Sequence, residues 1–257
     1  MPFKKWSEAT PHYGRRVLIS GPPNTLKTTA MMTWPAHRHH VSYPGEKGFE
    51  TLPRNSPDMT PWIWEVADPA KLSPHSVVTE VETLTTEILS GKHGECTTFA
   101  GDGIHKLYTW YYERAWLDMG QTEETVGRAY GKAHRDFSAY LNRVLQSQVP
   151  YVVMSVWEGR TKDDPENKSK QASTHIFPDL PGEMAKRIVG EFSVVLYAEC
   201  DPPDPQGKVR ARWQIRPSGK VWGVGVKLPP DMAAKLPAKL EPPDFKQLEP
   251  LLIPKGV

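Results

Sequence analysis

Residues 16–34 read RVLISGPPNTLKTTAMMTW, and this stretch decides the fold class. Residues 16–20 are a short apolar run followed directly by Gly-Pro-Pro, which predicts a buried strand that ends in a turn. A helix is predicted over residues 27–34, because the ring of Pro35 cannot continue it. Strand, loop and helix in this order form the opening unit of an α/β domain.

The loop between strand and helix, GPPNTLKT at residues 21–28, matches the pattern G-x-x-x-x-G-K-[ST] at all but one position. In that pattern backbone N–H groups surround the phosphates of a nucleotide, the lysine reaches the outer phosphates and the last hydroxyl holds Mg²⁺. Leu26 is the departure, because glycine at this position lets the backbone approach a phosphate closely. The alternative is an ordinary proline-containing turn before a helix. We predict an ATP site with contacts from Gly21, Pro22, Pro23, Asn24, Thr25, Leu26, Lys27, Thr28 and Thr29.

An acidic residue is expected to complete the metal site. Asp102 ends the segment TTFAGD, in which residues 97–100 are interpreted as a weak strand. We predict that Asp102 orients Mg²⁺ through water, while Thr28 binds the ion and Lys27 the phosphates. The alternative is an aspartate that opens a turn with Gly103.

A second acidic residue is expected to act on the attacking water. Glu46, in the Glu-Lys-Gly that follows a predicted second strand, is the candidate that positions or deprotonates this water. Glu50 is its rival, and a solvated loop charge is the alternative for both. Ser155, at the tip of the strand YVVMSV, stands where a polar sensor of the terminal phosphate is expected. Trp157 suits that role poorly, because an indole only donates.

The rest of the chain alternates predicted strands and helices. Strands are predicted at residues 41–43, 97–100, 151–156, 193–199 and 209–215, and helices at residues 76–90, 130–148 and 183–189. This alternation predicts a doubly wound α/β fold, in which helices flank a mostly parallel central sheet with an antiparallel edge. Residues 55–74 are interpreted as a surface loop and residues 160–173 as a mobile one. We predict an N-terminal arm at residues 1–14, a core at 15–228 and a proline-rich tail at 229–257.

Composition narrows the class of protein. With 257 residues, 38% of them hydrophobic, the chain can bury a core and fits one ample α/β domain or a domain with a short appendage. The longest apolar runs are too short for a membrane span and no secretion signal opens the chain, so we expect no membrane partner. Cys96 and Cys200 are the two cysteines, without CxxC spacing, which disfavours a disulfide framework or a zinc ribbon and favours a reducing cytoplasm. A net charge of +2 neither requires nor excludes a nucleic-acid partner.

Three further features have competing interpretations. Residues 160–170 mix four cations with three acidic residues, which suits either a loop that binds single-stranded DNA or a plain solvated loop. The HRHH run at residues 37–40 is interpreted as an exposed helix end rather than a metal site, because no cysteine or carboxylate has matching spacing. Four tryptophans are candidates for base stacking, although core packing is the default expectation. They are Trp62, Trp64, Trp110 and Trp116.

These motifs together resemble a known family. GPPNTLKTT, then EKG after the second strand, FAGDGIHKLY, YVVMSVWE, PDLPGEMAKRIVGEFSVVLYAE and the closing PPDFKQLEPLL are similar to the phage-encoded RecA-like P-loop ATPases, the short recombinases associated with single-strand annealing. The resemblance covers about residues 15–250, and the phosphate loop is its specific motif. It implies a RecA-like fold, ATP-dependent binding of single-stranded DNA, ring or filament homo-oligomers, and a role in recombination or replication of phage DNA.

The resemblance also implies residue roles. It assigns phosphate and Mg²⁺ to Lys27 and Thr28, the second acid to Asp102 and the base to Glu46. Family members often carry a basic residue after the later strands that reaches the nucleotide of the neighbouring subunit. The nearest counterpart here is Lys227 in GVGVKLP, with two alternatives, Arg216 and Lys220.

Three functions are compatible with these residues. The first is an ATPase that acts on single-stranded DNA in the cytoplasm of an infected bacterial host, with a single-strand binding or annealing protein as a further partner. The second is a module that hydrolyses slowly and recruits a DNA-processing protein, which Leu26 and Trp157 favour. The third is a small-molecule kinase, although no arginine-rich lid stands out in the sequence.

Overall fold

The computed structural model describes residues 15–52, 56–63, 73–161, 175–207, 209–218, 221, 223–228 and 233–252. Within them the strands are β1 Arg16–Gly21, β2 Arg38–Ser42, β3 Met59–Ile63, β4 Thr98–Asp102, β5 Tyr151–Thr161, β6 His175–Pro178, β7 Val194–Cys200, β8 Ala211–Gln214, β9 Gly225–Val226 and β10 Lys239–Leu240. The α-helices are α1 Lys27–Met31, α2 Pro74–Leu89, α3 Ile104–Asp118, α4 Val126–Leu145, α5 Gly182–Glu191 and α6 Phe245–Leu252. The described residues also form short 3-10 helices at Gly48–Thr51 and Glu123–Thr125.

One sheet organises the molecule, with strand order β10-β8-β7-β1-β5-β4-β2-β3. The six strands from β7 to β3 are parallel to one another, whereas β8 and β9 run antiparallel to β7, and β10 runs antiparallel to β8. β6 adds an antiparallel pair to the end of β5. This arrangement confirms the predicted α/β fold with a mostly parallel sheet and an antiparallel edge.

Helices cover both faces of the sheet, and β1 lies between β5 and β7, so all six of its residues are buried. Side chains alternate along a strand, so Leu18 faces the larger core with α2, α3, α4 and α5, while Val17 and Ile19 face the smaller one. The smaller core includes residues of α1 and of α6. In it the rings of Trp34 and Phe245 are in contact, with centroids 5.1 Å apart.

Two predictions about the region after α1 are wrong. The HRHH run is not an exposed helix end, because residues 38–40 begin β2, which pairs with β3 on one side and β4 on the other and buries His39 and His40. The proline- and tryptophan-rich segment is not only a loop, because Met59–Ile63 forms β3. Among the described strands β3 is the last on its side of the sheet, and an edge position tolerates Pro61.

Other element predictions are confirmed with shifted bounds. β5 runs on to Thr161, five residues beyond its predicted end, so the predicted loop begins later. Residues 162–173, the rest of that loop, lie outside the described residues. α3 occupies a segment for which no element was predicted. Trp64 and the arm at residues 1–14 also lie outside the described part. The boundary at residue 228 stays a prediction, and residues 239–252 beyond it form β10 and α6.

Among the described residues, no helix has both the length and the apolar character needed to cross a bilayer.

Candidate functional site

The predicted phosphate loop connects the end of β1 to the start of α1. Gly21 must be glycine, because a Cβ there would lie 2.4 Å from the carbonyl oxygen of Ala198 on β7. Leu26 has φ 57° and ψ 24°, so it adopts the left-handed conformation for which glycine is the usual residue. Asn24 is also left-handed, with φ 62°. Leu26 therefore adopts the backbone conformation expected of the glycine that it replaces in the pattern, and Leu26 is 41% exposed.

Lys27 turns its ammonium group back into this loop. Its Nζ donates to the carbonyl oxygens of Gly21 at 3.0 Å and Pro22 at 2.5 Å, and to the hydroxyl of Thr25 at 3.3 Å. All three acceptors are neutral. Burial lowers the pKa of Lys27 to about 8, although Asp102 and Glu46 nearby partly oppose that shift. A buried cation that the described residues hold through neutral oxygens is suited to bind an anion that enters the loop.

Asp102 ends β4 beside the loop and is almost fully buried. Its Oδ2 accepts a 2.6 Å hydrogen bond from the Thr28 hydroxyl, and its Oδ1 accepts one from Ser155. His40 Nε2 lies 3.6 Å from Oδ2. Burial alone would raise the pKa of Asp102, but the interactions with His40, Ser155 and Thr28 outweigh it and hold that pKa below its usual value. Asp102 is therefore held as a carboxylate next to Thr28.

Glu46 contributes a second carboxylate to the same region. Its Oε1 accepts the backbone N–H groups of Lys47 and Gly48 at 3.1 and 3.3 Å, whereas its Oε2 is shielded from water and has no hydrogen-bond partner in the described part of the chain. Burial, and then the nearby charge of Asp102, raise the pKa of Glu46. The rival Glu50 also lines the pocket, but it is exposed.

A pocket of about 370 Å³ collects the predicted residues. Gly48 lies directly against the metal candidates, because a Cβ on it would fall 2.3 Å from Thr28 Oγ1 and 2.6 Å from Asp102 Oδ2. The pocket wall combines the loop, the segment after β2, and single residues from β4 and β5. Its lining residues are Pro23, Asn24, Thr25, Leu26, Lys27, Thr28, Thr29, Glu46, Lys47, Gly48, Glu50, Thr51, Asp102 and Trp157.

Some residues occupy places that differ from expectation. Ser155 is buried and its hydroxyl bonds Asp102 and accepts the Gly103 N–H at 2.9 Å, so it supports Asp102 rather than reaching a phosphate. Trp157 pairs with Gly21 in the parallel register of β1 and β5, which brings it to the pocket. His40 was not predicted to be a site residue, because its burial beside Asp102 depends on the neighbouring strands. Predicting a strand over residues 38–42 could have identified it.

Lys227 lies at the opposite end of the sheet from the phosphate loop of its own chain. Its Nζ donates to the carbonyl oxygen of Gly190, and its N–H donates to Ser193 just before β7. Arg216 donates to the carbonyl oxygen of Ala234 at 2.6 Å. Lys220 lies outside the described residues. A role for any of them at a neighbouring subunit's nucleotide stays a prediction.

The oxygen ligands fit Mg²⁺. The Thr28 hydroxyl and the Asp102 carboxylate are 2.6 Å apart at the pocket wall, and Mg²⁺ characteristically takes one or two protein oxygens and completes its shell with phosphates and water. Across the described ranges, no group of three or more His, Cys, Asp or Glu residues is placed to hold a metal ion. A site of this kind therefore suits an ion that arrives with a nucleotide.

Replacing Leu26 with glycine is expected to raise the free energy of unfolding by about 1 kcal/mol. The left-handed conformation costs a non-glycine residue roughly 1–2 kcal/mol, and the greater chain entropy of glycine offsets part of that gain. Urea unfolding of the purified chain measures the change. Asn24→Gly is the matched control and should gain less, because asparagine tolerates this conformation. A loss of stability in Leu26→Gly would mean that contacts of the leucine side chain outweigh the backbone strain.

One protein family and several solved structures are similar to this chain. A family profile described as "AAA domain" matches residues 13–223. Solved structures similar to this chain include the prototypical ATPase from the type III secretion system of pathogenic bacteria, with 13% identity, a TM-score of 0.46, and coverage of 72% of this chain and 51% of that one. Another is the flagellar accessory protein FlaH from Methanocaldococcus jannaschii, with 12% identity, a TM-score of 0.36, and coverage of 84% and 83%. This chain spans about half the length of the secretion ATPase. None of the curated proteins matches the sequence.

Proposed function

The chain belongs to the AAA domain family of P-loop ATPases, and from that premise we propose that its pocket binds ATP with Mg²⁺, hydrolyses the terminal phosphate and couples this reaction to single-stranded DNA. One observation carries the hydrolytic part. The Thr28 hydroxyl and the Asp102 carboxylate meet at 2.6 Å, while Glu46 has an unpartnered oxygen in the same region.

Lys27 and the loop backbone bind the phosphates. On nucleotide entry the ammonium group exchanges its neutral acceptors, the carbonyl oxygens of Gly21 and Pro22, for phosphate oxygens. This exchange is favourable, because a buried charge gains more from an anionic partner than from a dipole. The start of α1 adds backbone N–H groups that point toward the loop.

Thr28 and Asp102 hold the metal ion. When bound, Mg²⁺ neutralises charge on the outer phosphates and thereby eases the transfer of the terminal phosphoryl group. Ser155 and His40 keep the Asp102 carboxylate in place and ionised.

Glu46 acts on the attacking water. The water oxygen forms a bond to the terminal phosphorus, the bond from that phosphorus to the bridging oxygen breaks, and the water proton passes to Glu46 Oε2, leaving ADP and phosphate. Two backbone N–H groups fix the other oxygen of Glu46. The raised pKa of Glu46 makes it a stronger base than an ordinary carboxylate once it is ionised.

The DNA part of the proposal rests on the resemblance of the quoted motifs to phage RecA-like recombinases. On that basis the protein acts as a ring or filament in phage recombination, repair or replication. ATP then lies between subunits, with Lys227 as the candidate residue that reaches a neighbour's nucleotide.

The test is phosphate release from ATP, measured with and without oligothymidylate over a range of salt concentrations, beside Lys27→Ala. We expect oligothymidylate to increase the rate, salt to reduce that increase because phosphate contacts release counterions, and Lys27→Ala to show no release. If oligothymidylate does not change the rate of phosphate release, the proposed action on DNA is wrong and the proposed ATPase activity stands. Equal release by Lys27→Ala would show that the pocket is not the site of hydrolysis.

A further inference from the structure

A second cleft, of about 430 Å³, adjoins the nucleotide pocket and shares Trp157 with it. We call it the aromatic cleft and define it by six of its lining residues. They are His105, Lys106, Tyr108, Tyr112, Tyr130 and Trp157. The first four lie on α3, which starts directly after Asp102 and Gly103. The cleft is therefore built on the strand end that carries the proposed metal ligand.

Flat rings form the walls of the aromatic cleft. Tyr112 and Tyr130 stack with ring centroids 4.4 Å apart and planes inclined by 27°. The His105 ring packs on Trp157 at 4.6 Å, and the Lys106 ammonium lies 4.5 Å from the centre of the same indole. Such walls offer stacking surfaces to a planar ligand, and the lysine offers a positive charge at the partly exposed rim.

Polar atoms without partners lie in the same walls. His105 is 6% exposed and Tyr108 is 2% exposed, yet no described residue hydrogen-bonds to either ring nitrogen of His105 or to the hydroxyl of Tyr108. Buried polar groups are nearly always hydrogen-bonded to protein, water or a ligand, so those that line a cleft can bind a polar group that enters it. Burial lowers the pKa of His105 to about 3, so its ring is neutral and presents one donor and one acceptor.

We propose that the aromatic cleft binds a nucleobase, which stacks on its aromatic walls and hydrogen-bonds to His105 and Tyr108. A nucleobase combines a π-face with an edge that both donates and accepts, whereas an aliphatic side chain would leave the buried nitrogens and hydroxyl unpartnered. The inference rests on the proposed action on single-stranded DNA, and it names the place where a base of that strand is held. Lys106 then meets the backbone phosphate next to that base.

Trp157 couples the aromatic cleft to the nucleotide pocket. The His105 nitrogens are shielded from water, and Trp157 is packed on that ring, so a base reaches them when the indole moves. The same indole is part of the nucleotide pocket wall, beside the loop that starts at Gly21. Base binding and ATP binding therefore both affect the position of the Trp157 side chain. Through this shared side chain, DNA binding can stimulate hydrolysis.

The test measures binding of fluorescein-labelled oligothymidylate by anisotropy with the full chain, AMP-PNP and Mg²⁺. Tyr112→Leu is expected to weaken binding about tenfold through lost stacking, and Tyr108→Phe about fivefold through one lost hydrogen bond. Tyr108→Phe removes a hydroxyl that has no hydrogen-bond partner among the described residues, so the melting temperature of the variant should not fall. Weaker binding by this variant would then not result from misfolding. The matched control is Tyr151→Leu, whose half-buried ring packs on Phe245 at the opposite end of β5 and should leave binding unchanged.

Two further measurements are needed. The first distinguishes a base of single-stranded DNA from a free nucleoside as the ligand, and the second distinguishes failure of the aromatic cleft from failure of the proposed ATPase. Calorimetric titration with thymidine tests whether the cleft binds a free nucleoside, because thymidine has no phosphate for Lys27. If wild type binds thymidine and Tyr112→Leu does not, the cleft is supported even where oligothymidylate binding is unchanged. Hydrolysis of ATP without DNA should stay at the wild-type rate in Tyr112→Leu, so failure of the ATPase is distinguishable from failure of the cleft. Unchanged binding of both probes in Tyr112→Leu and Tyr108→Phe would overturn the inference.

Discussion

Glu46→Gln is expected to hydrolyse ATP at least about 100-fold more slowly than wild type while binding it with similar affinity. A positioned general base contributes about 10²- to 10⁴-fold to a rate. Glutamine has the same shape, and its carbonyl oxygen can still accept the N–H groups of Lys47 and Gly48, so the segment should keep its place. The measurement is kcat and KM for phosphate release, with ATP affinity from a separate titration.

The pH dependence of the same pair of proteins sharpens this prediction. Glu46 works as a base only when ionised, and its pKa is raised, so wild-type kcat should fall on acidification at a higher pH than an ordinary glutamate would give. That acidic decline should be absent in Glu46→Gln. Glu50→Gln is the control, because Glu50 lines the same pocket but is exposed. Loss of hydrolysis in Glu50→Gln but not in Glu46→Gln would reassign the base.

Gly48→Ala is expected to lower Mg²⁺-dependent hydrolysis by about 100-fold. The added methyl group would lie 2.3 Å from Thr28 Oγ1 and 2.6 Å from Asp102 Oδ2, so either the two metal candidates separate or the segment that carries Glu46 moves away. A misplacement of about 1 Å at a reacting centre can cost about 10²-fold in rate. Titration of the rate with Mg²⁺ at saturating ATP measures the effect, and a melting curve establishes that the variant folds.

The control for Gly48→Ala is Gly127→Ala in α4, where an added methyl group meets nothing within 4 Å. Alanine is the better helix former by about 1 kcal/mol, so this variant should be as active as wild type and somewhat more stable. Wild-type Mg²⁺ dependence in a folded Gly48→Ala would contradict the assignment of Thr28 and Asp102 as the residues that would hold the metal ion.

Local signals predicted the centre of this fold well. The strand, the phosphate loop and the start of α1 follow from one continuous stretch of residues, and the amphipathic α4 and the apolar β5 are long and regular enough to predict. The predicted candidates Lys27, Thr28, Glu46 and Asp102 are far apart in sequence, yet parallel strands bring their ends to one edge of the sheet.

Features that depend on neighbouring strands could not be predicted in the same way. β3 contains a proline that reads as a loop signal, and only its edge position makes a strand possible. The HRHH run reads as polar, and the burial of His40 arises because β2 lies between two other strands. The contact of Ser155 with Asp102 likewise requires that β4 and β5 be adjacent, which no local pattern states.

The Mg²⁺ dependence of phosphate release by the purified chain, beside Lys27→Ala as the blank, decides whether this pocket is an ATPase site. We expect release from ATP with Mg²⁺, none with EDTA, and none from Lys27→Ala under either condition, because Lys27 and the proposed sites of the phosphates and the metal ion lie in one pocket. A folded wild-type chain that releases no phosphate with Mg²⁺, or a Lys27→Ala variant that releases it at the wild-type rate, would contradict the assignment of this pocket as an ATPase site.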